Sequence, residues 1–304
     1  MSLIVTGTIG IDTIHTPTGS AESVLGGSCT YFAAAASFFT PVRIVAAVGG
    51  DFTTEHEKVF AAFPTVCCQG LDRRPQSKTF AWGGRYLDDM NQRETLYTHL
   101  GVLEEAPPIP PEVYRDSRFV FLANTHPGVQ RGLLEHFPAR TLAVADTMNL
   151  WIDIASDELK ALLTSVDGLV LNDEEARMLT GSRNNIDAGR RILDMGPRFA
   201  IIKKGEHGSI LVHRDGVAAI PAYPTDVVID PTGAGDSFAG GLMGRLASTT
   251  AADPLSLEEI QKAMAVGSVV ASFTIESFSL ERLTTLQRAE IDGRAQEFAR
   301  MVRV

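Results

Sequence analysis

Short apolar runs alternate with amphipathic stretches along most of the chain, the pattern of buried parallel strands separated by surface helices. Residues 3–9 (LIVTGTI) read as a first buried strand running into Gly10-Ile11-Asp12, and residues 42–48 as a second. An alanine-rich apolar helix runs to about Phe39 and stops before Pro41. The helix predicted over 53–63 is amphipathic, with Val59, Phe60 and Phe63 on its core face. From Phe119 the alternation becomes regular, with strands predicted at 119–123, 141–146, 168–172 and 198–204. Val227-Val228-Ile229 reads as the end of one more buried strand. Residues 77–100 break the rhythm: 78–87 and 93–100 alternate as strands about the polar turn Asp88-Asp89-Met90-Asn91, a hairpin rather than a βα unit. The part beyond about Ser256 is largely helical.

Composition narrows the function classes. With 304 residues, 44% hydrophobic and 21% charged, the chain has the make-up of a soluble globular protein of one large α/β domain or two ordinary ones. A formal net charge of -10 argues against a nucleic-acid surface. No apolar run approaches the ~20 residues a membrane span needs, and the first ten residues lack a basic stretch followed by an apolar one. Cys29, Cys67 and Cys68 make no disulfide framework, so a reducing, cytoplasmic setting is expected, with Cys67-Cys68 packed as small hydrophobes. The seven histidines are scattered, without the clustering of a zinc site.

The richest stretch is DPTGAGDSFAGG at 230–241. Asp230, Pro231 and Thr232 supply a turn, and Gly233-Ala234-Gly235 leaves backbone N–H groups free to face an anion at a helix start, where the dipole adds to them. Asp236 falls in the first turn, favoured as the carboxylate that takes a proton from an attacking hydroxyl. Gly240 and Gly241, in what should be helix interior, call for a close packing partner.

Other residues carry two readings each. Asp12 sits where open α/β sheets bind ligands, or caps a turn. Asn172 and Glu175, three apart at a helix start, suit hydrated Mg²⁺ bridging phosphates, or an N-cap with an acidic first turn. In IIKKGEHG (201–208) adjacent residues face opposite ways, so at most one of Lys203 and Lys204 faces a ligand, and Lys203 is our choice. The small residues of 263–272 would admit a planar base or tight helix packing. Gly7 is not followed by a dinucleotide fingerprint, which disfavours a Rossmann oxidoreductase, and no GxxxxGK[ST] is present. His213-Arg214-Asp215 copies part of a protein-kinase loop, but Ile220 stands where the metal-binding Asn belongs.

DPTGAGDSFAGG resembles the second signature of the ribokinase-like, or PfkB, carbohydrate and nucleoside kinases. The resemblance runs in order through Asp12, Gly26-Gly27, Gly49-Gly50-Asp51, Asn172 with Glu175, and Gly205 with Gly208. It implies a doubly wound, mostly parallel sheet flanked by helices, in one domain spanning 1–304, with a small β lid from 12–28 and 77–103. The implied activity moves the γ-phosphoryl group of ATP to a hydroxyl of a sugar, nucleoside or polyol. Asp236 would be the general base and Gly233, Ala234 and Gly235 the anion hole. Nucleotide contacts would fall on Asn172, Lys203, Gly205, Gly208, Ala263 and Gly267, with Mg²⁺ held through water at Glu175 and K⁺ at Asp230 and Thr232. Acceptor contacts would fall on Asp12, Gly26, Gly27, Tyr31, Trp82 and Arg85, with Tyr86 beside them, and a homodimer would form through the lid. One departure is Tyr31, where family members carry Asn; with Trp82 and Tyr86 it leans the reading toward a ring-bearing acceptor such as a nucleoside. A non-catalytic nucleotide- or sugar-binding regulator on the same fold is the alternative, and the intact Asp236 speaks against it.

Overall fold

The computed structural model describes residues 2–302. The first apolar run forms β1 (Leu3–Thr6) and then leaves the layer: β2 (Gly10–Thr16) and β3 (Gly19–Gly26) belong to a second sheet. The chain returns through α1 (Ser28–Ser37), β4 (Val42–Gly49), α2 (Thr54–Ala61) and β5 (Val66–Arg74), then builds the hairpin β6 (Ala81–Tyr86) and β7 (Arg93–His99). Next come β8 (Phe119–Leu122), α3 (Pro127–Leu134), β9 (Leu142–Asp146), α4 (Asn149–Ile154), α5 (Ser156–Leu163) and β10 (Gly168–Asn172). These are followed by α6 (Asp173–Thr180), α7 (Asn185–Asp194), β11 (Phe199–Lys203), β12 (Ser209–His213) and β13 (Gly216–Ile220). Four helices close the chain: α8 (Ala234–Ser248), α9 (Leu257–Thr274), α10 (Glu281–Thr285) and α11 (Arg288–Met301).

The large sheet has the order β13-β12-β11-β10-β9-β8-β1-β4-β5 and is parallel except for β12 and β13 at one edge. Alternate residues of its strands feed two cores. Val5, Ile44, Phe121, Val144 and Ile201 meet α1, α8 and α9 on one face, while Ile4, Val45, Val120, Ala143 and Ile202 meet α3, α5, α6 and α7 on the other. Phe32 of α1 stacks on Phe121 with ring centroids 4.4 Å apart, the kind of pair worth about 0.5–1.5 kcal/mol beyond its buried area. The small sheet, ordered β3-β2-β6-β7, stands apart as the predicted lid segments require.

The interior glycines of α8 have their packing partners. A Cβ at Gly240 would lie 2.4 Å from the Phe32 carbonyl oxygen of α1, and one at Gly241 would lie 3.1 Å from Gly267 Cα of α9. Backbones meet there, which offsets the helix cost of glycine.

Several elements differ from the sequence expectation. The first strand ends at Thr6, and Asp12 lies inside β2 rather than in a turn. Residues 66–74 form an edge strand the pattern did not announce, because its outer face is polar. Cys67 on it is exposed, its sulfur accepting a hydrogen bond from the Tyr114 hydroxyl at 3.1 Å, and Cys68 is half-buried. Val227-Val228-Ile229 is no strand: Val227 is 44% exposed, and the segment is anchored by the Ile229 amide donating to the Ile275 carbonyl at 2.8 Å. His213-Arg214-Asp215 turns the β12–β13 hairpin and carries no loop chemistry.

Candidate active site

The carboxyl ends of the parallel strands and the start of α8 converge on one crevice, where open α/β sheets place ligands. The turn before α8 is built by Asp230. Its side chain is wholly buried, with Oδ1 accepting from the Thr232 amide at 2.8 Å and Oδ2 from the Ser279 amide at 3.4 Å. Gly233 caps the helix in the left-handed region at φ 75°. A Cβ there would also stand 2.3 Å from the Tyr31 ring, so glycine is required twice over. No side chain caps α8; the Ala234 amide donates to the Pro231 carbonyl at 3.2 Å and the Ser237 amide to the Gly233 carbonyl at 2.8 Å, which leaves the Gly235 and Asp236 amides without a backbone partner and able to face an anion.

Asp236 lies half-buried in that first turn, at the floor of the crevice. Burial pushes its carboxyl up to about 7, aided by the charge of Asp146 and opposed by Lys203 and Arg93. Glu175, 6% exposed, is likewise raised to about 7 by burial and Asp146, against Lys203, the Asn172 amide and Arg93. Asp146, at the end of β9, is raised by burial and lowered by Lys203. Burial alone would lower the Lys203 ammonium, but Asp146, Glu175 and Asp236 together hold it above its ordinary value. Three carboxylates around one half-buried lysine form a strongly coupled set of the kind found where protons and phosphates are handled. Lys203 sits beside Asn172 in register and leans on the anion loop, where a Cβ at Gly235 would lie 2.8 Å from its Nζ.

Asn172 and Glu175 close a capping box: Asn172 Oδ1 accepts from the Glu175 amide at 2.7 Å, and Glu175 Oε2 from the Asn172 amide at 2.8 Å. The cap is therefore real, and it fixes the Glu175 carboxyl beside Asp146 and Lys203. Beyond β11, Gly205 (φ 54°) and Gly208 (φ 79°) shape an exposed turn.

On the opposite wall stands Asp12, 4% exposed. Burial pushes its carboxyl to about 7, against the backbone amides of Trp82 and Gly27 and with added repulsion from Asp230 and Asp236. Its Oδ1 has no hydrogen-bond partner among the described residues. A Cβ at Gly26 would lie 1.9 Å from Asp12 Oδ2, and Gly27 takes φ 92°, so the glycine pair lets the backbone pass directly over the carboxylate. Tyr86 of the small sheet reaches the anion turn, its hydroxyl accepting from Thr232 Oγ1 at 3.2 Å.

Comparison with known proteins agrees with this geometry. The family model of the pfkB family carbohydrate kinases matches residues 139–285. A cytidine kinase of Thermococcus kodakarensis is 28% identical over 249 residues, covering 80% of this chain and 87% of that protein. The structure of a Burkholderia thailandensis nucleoside kinase in complex with inosine superposes with a TM-score of 0.76 at 20% identity, over 99% of this chain and 98% of that one. The family match spans just under half of this chain, and with these relatives it supports a kinase similar to the PfkB carbohydrate and nucleoside kinases. A putative Ribokinase II from E. coli in complex with ATP and Mg²⁺ shares the fold at a TM-score of 0.77 and 17% identity, over 97% of this chain and 99% of that one.

Within this kinase the fold brings Asp236, the Gly233–Gly235 loop, Lys203, Glu175 and Asp12 together and places other predicted residues differently. Tyr31 is 1% exposed, its ring packed under Gly233, so it supports the anion loop from below rather than presenting a ring to an acceptor. Arg85 is exposed, pairs in register with Glu94, and lines an open cleft of about 600 Å³ with His15 and Asp88 on the outside of the hairpin. Ala263 and Gly267 are buried in the α8–α9 crossing, and between them Ala265 and Val266 are partly exposed. Two polar residues were missed. Asp146 ends a parallel strand, the position already weighed for Asp12 and Asn172, and that rule would have found it. Arg93 had no signal in the sequence beyond its charge.

The donors fit the groups a PfkB kinase uses. Free amides and an ammonium suit the phosphates of ATP. Among the described residues no three His, Cys, Asp or Glu side chains could enclose a metal, and the Glu175 and Asp146 carboxylates are the oxygen donors beside Lys203 that suit a hydrated Mg²⁺.

Proposed function

We propose that this enzyme phosphorylates a hydroxyl of a nucleoside, with Asp236 as the general base and Asp12 holding the acceptor's hydroxyls. The single observation that carries the chemistry is the half-buried Asp236 in the first turn of a glycine-started helix, beside the half-buried Lys203. The acceptor O–H gives its proton to Asp236 as its oxygen bonds to the γ-phosphorus, and the bond to the bridging oxygen breaks to release ADP. The free amides at the start of α8 receive the charge that develops on the transferring group. Lys203 and the Gly205–His207 turn hold the rest of the nucleotide. Mg²⁺, when bound, neutralises the phosphates, with Glu175 and Asp146 as the residues to hold it.

The choice of a nucleoside rests on Trp82, a half-buried ring on the lid sheet whose amide faces the Asp12 carboxylate. It is supported by the names of similar proteins, a cytidine kinase and a nucleoside kinase with inosine. A coupled ADP-release assay with ATP and Mg²⁺ over nucleosides, hexoses, ribose and inositols tests it. Turnover on a nucleoside at low KM is expected; turnover confined to sugars or inositols would overturn the choice.

Three finer points belong to the same reading. Asp230 is wholly buried, and burial holds its carboxyl above the ordinary range, so a K⁺ ion at the Asp230–Thr232 turn would relieve it; activity unchanged on replacing K⁺ by a bulky organic cation would remove that ion. The β2–β3 and β6–β7 strands serve as the lid, and their exposed outer residues, Leu96 among them, support a homodimer, which light scattering would detect. Free thiols at Cys29, Cys67 and Cys68 support a cytoplasmic setting, and no helix among the described residues is long and apolar enough to cross a membrane.

A further inference from the structure

Arg93 opens β7 and stands directly opposite Tyr86 in the hairpin register. Tyr86 is the residue whose hydroxyl takes a hydrogen bond from Thr232, so the Arg93–Tyr86 pair sits above the turn that feeds the anion loop. The guanidinium lies over the Trp82 ring, with Cζ 5.6 Å from the centroid. It forms no ion pair among the described residues. Its charge is nevertheless felt across the crevice at Asp236, Glu175 and Lys203, three groups on three different elements. Two residues before it, Asn91 Nδ2 donates to Glu206 Oε1 at 3.4 Å, so the hairpin tip rests on the glycine turn beyond β11.

The charge balance of the crevice gives this placement a meaning. Asp146, Glu175 and Asp236 face Lys203 from the sheet side, and a nucleotide phosphate adds further negative charge. The anion loop supplies amides from below and Lys203 a cation from one wall. The opposite wall would be bare of positive charge but for Arg93. A cation resting on a part-exposed aromatic ring gains only about 0.5–1 kcal/mol, and the hydrogen bond from Arg93 to the neutral Tyr86 hydroxyl is weaker than one to a charged phosphoryl oxygen, so the guanidinium is readily moved onto a stronger anion. Arginine also suits the task better than lysine, since its planar fork can bind two phosphoryl oxygens at once.

We propose that Arg93 is a catalytic residue delivered by the lid, its guanidinium binding the γ-phosphoryl group during transfer. The proposal rests on the phosphotransferase reading above. As the acceptor oxygen bonds to phosphorus and the bond to the bridging oxygen breaks, the proton passes to Asp236 and the electron pair leaves with ADP. Arg93 stays protonated and shifts only its hydrogen bonds, from the ground state to the more charged transferring group. Closure of the hairpin would thereby join two conditions, a nucleotide under its tip and an acceptor under its sheet.

The test uses the full chain with Arg93→Ala and Arg93→Lys. Arg93→Ala should lower kcat by about 10²–10³-fold, with the melting temperature unchanged and partial recovery on adding guanidinium ion to the assay. By calorimetry with Mg²⁺, its affinity for β,γ-imido-ATP should fall about tenfold while its ADP affinity stays within about threefold, because only the γ-phosphoryl contact is lost. Arg93→Lys should keep the charge and regain part of both losses. A kcat within about threefold of wild type, or equal losses for ADP and the imido analogue, would overturn the assignment. The two readings separate cleanly: a wild-type chain that transfers phosphate to no acceptor sinks the phosphotransferase reading, and the two nucleotide affinities still decide whether Arg93 meets the γ-phosphoryl group.

Discussion

Replacing Asp12 by Asn should make the protein more stable and a poorer enzyme at once, and the size of the first effect can be worked from the structure. Asp12 is 4% exposed, and one carboxylate oxygen lacks a partner among the described residues. Its pKa rises from 3.8 to about 7, burial being the main cause, ahead of the repulsion from Asp230 and Asp236. At about 1.4 kcal/mol per tenfold, that rise corresponds to roughly 4 kcal/mol of stability withheld once the folded-state group ionises. The sign follows from proton binding. Below the unfolded value of 3.8 both states are protonated and the group costs nothing; between 3.8 and about 7 the folded state holds the extra proton, so stability falls as pH rises; above about 7 the full cost applies. At pH 5 about 1.6 kcal/mol of the cost has appeared, and at pH 8 all of it. Asparagine removes this titration and introduces a buried amide whose own cost, about 1–3 kcal/mol if unpaired, does not vary with pH. Urea unfolding of both proteins at pH 5 and pH 8 should therefore show the variant gaining roughly 3 kcal/mol relative to wild type between the two. The acceptor KM should rise at least about tenfold with the ATP KM within about threefold, a trade of function against stability. A pH-dependent gain below about 1 kcal/mol would refute the buried-charge argument, and equal rises in both KM values would refute the acceptor role.

Other expectations bear on the catalytic turn. Asp236→Asn should lower kcat by at least about 10²-fold, since the amide cannot take the hydroxyl proton, while ADP affinity by calorimetry stays close to wild type; retention of more than about a tenth of kcat contradicts the base assignment. Because Asp236 must be ionised and its pKa is about 7, kcat/KM should rise with pH to a midpoint near 7 and fall away in acid, and a flat profile from pH 5.5 to 8.5 would count against it. Gly233→Ala forces a Cβ into φ 75° and onto the Tyr31 ring, so about 2–5 kcal/mol should be lost from the two strains. Adding Tyr31→Ala should reduce the overlap part only, and no rescue at all would mean the ring is not the obstacle.

The parallel strands β8 to β11 were legible because both of their faces are buried, which writes them as unbroken apolar runs. The anion loop was legible for a different reason: its chemistry lies in backbone amides and a neighbouring carboxylate, all within one short stretch. Edge and lid strands were harder. β5 buries one residue fully, Gly70, and β3 only its last two, so neither shows a core face in its pattern. Val227-Val228-Ile229 misled in the opposite sense, an apolar triplet tied down by a single amide to Ile275 rather than by a ladder. The roles of Tyr31 and Arg93 come from partners on other elements, Gly233 of the loop above the Tyr31 ring and Trp82 across the hairpin from Arg93. Spacing along the chain says nothing about such meetings.

The glycine-lined contacts of α8 also divide the molecule by mobility. With Gly240 against Phe32 and Gly241 against Gly267, the helix bearing Asp236 is locked between α1 and α9 and cannot slide without breaking both contacts. Its interior amides, from Phe238 onward, should exchange with solvent deuterium only when the whole chain unfolds, whereas β7, exposed along most of its length, can exchange through local opening. Nucleotide and acceptor should then slow exchange in the hairpin and leave the interior of α8 as it was. On the proposed reading, proton acceptor and anion loop would be in place before any ligand arrives, and the work of closing the site would fall on the small sheet.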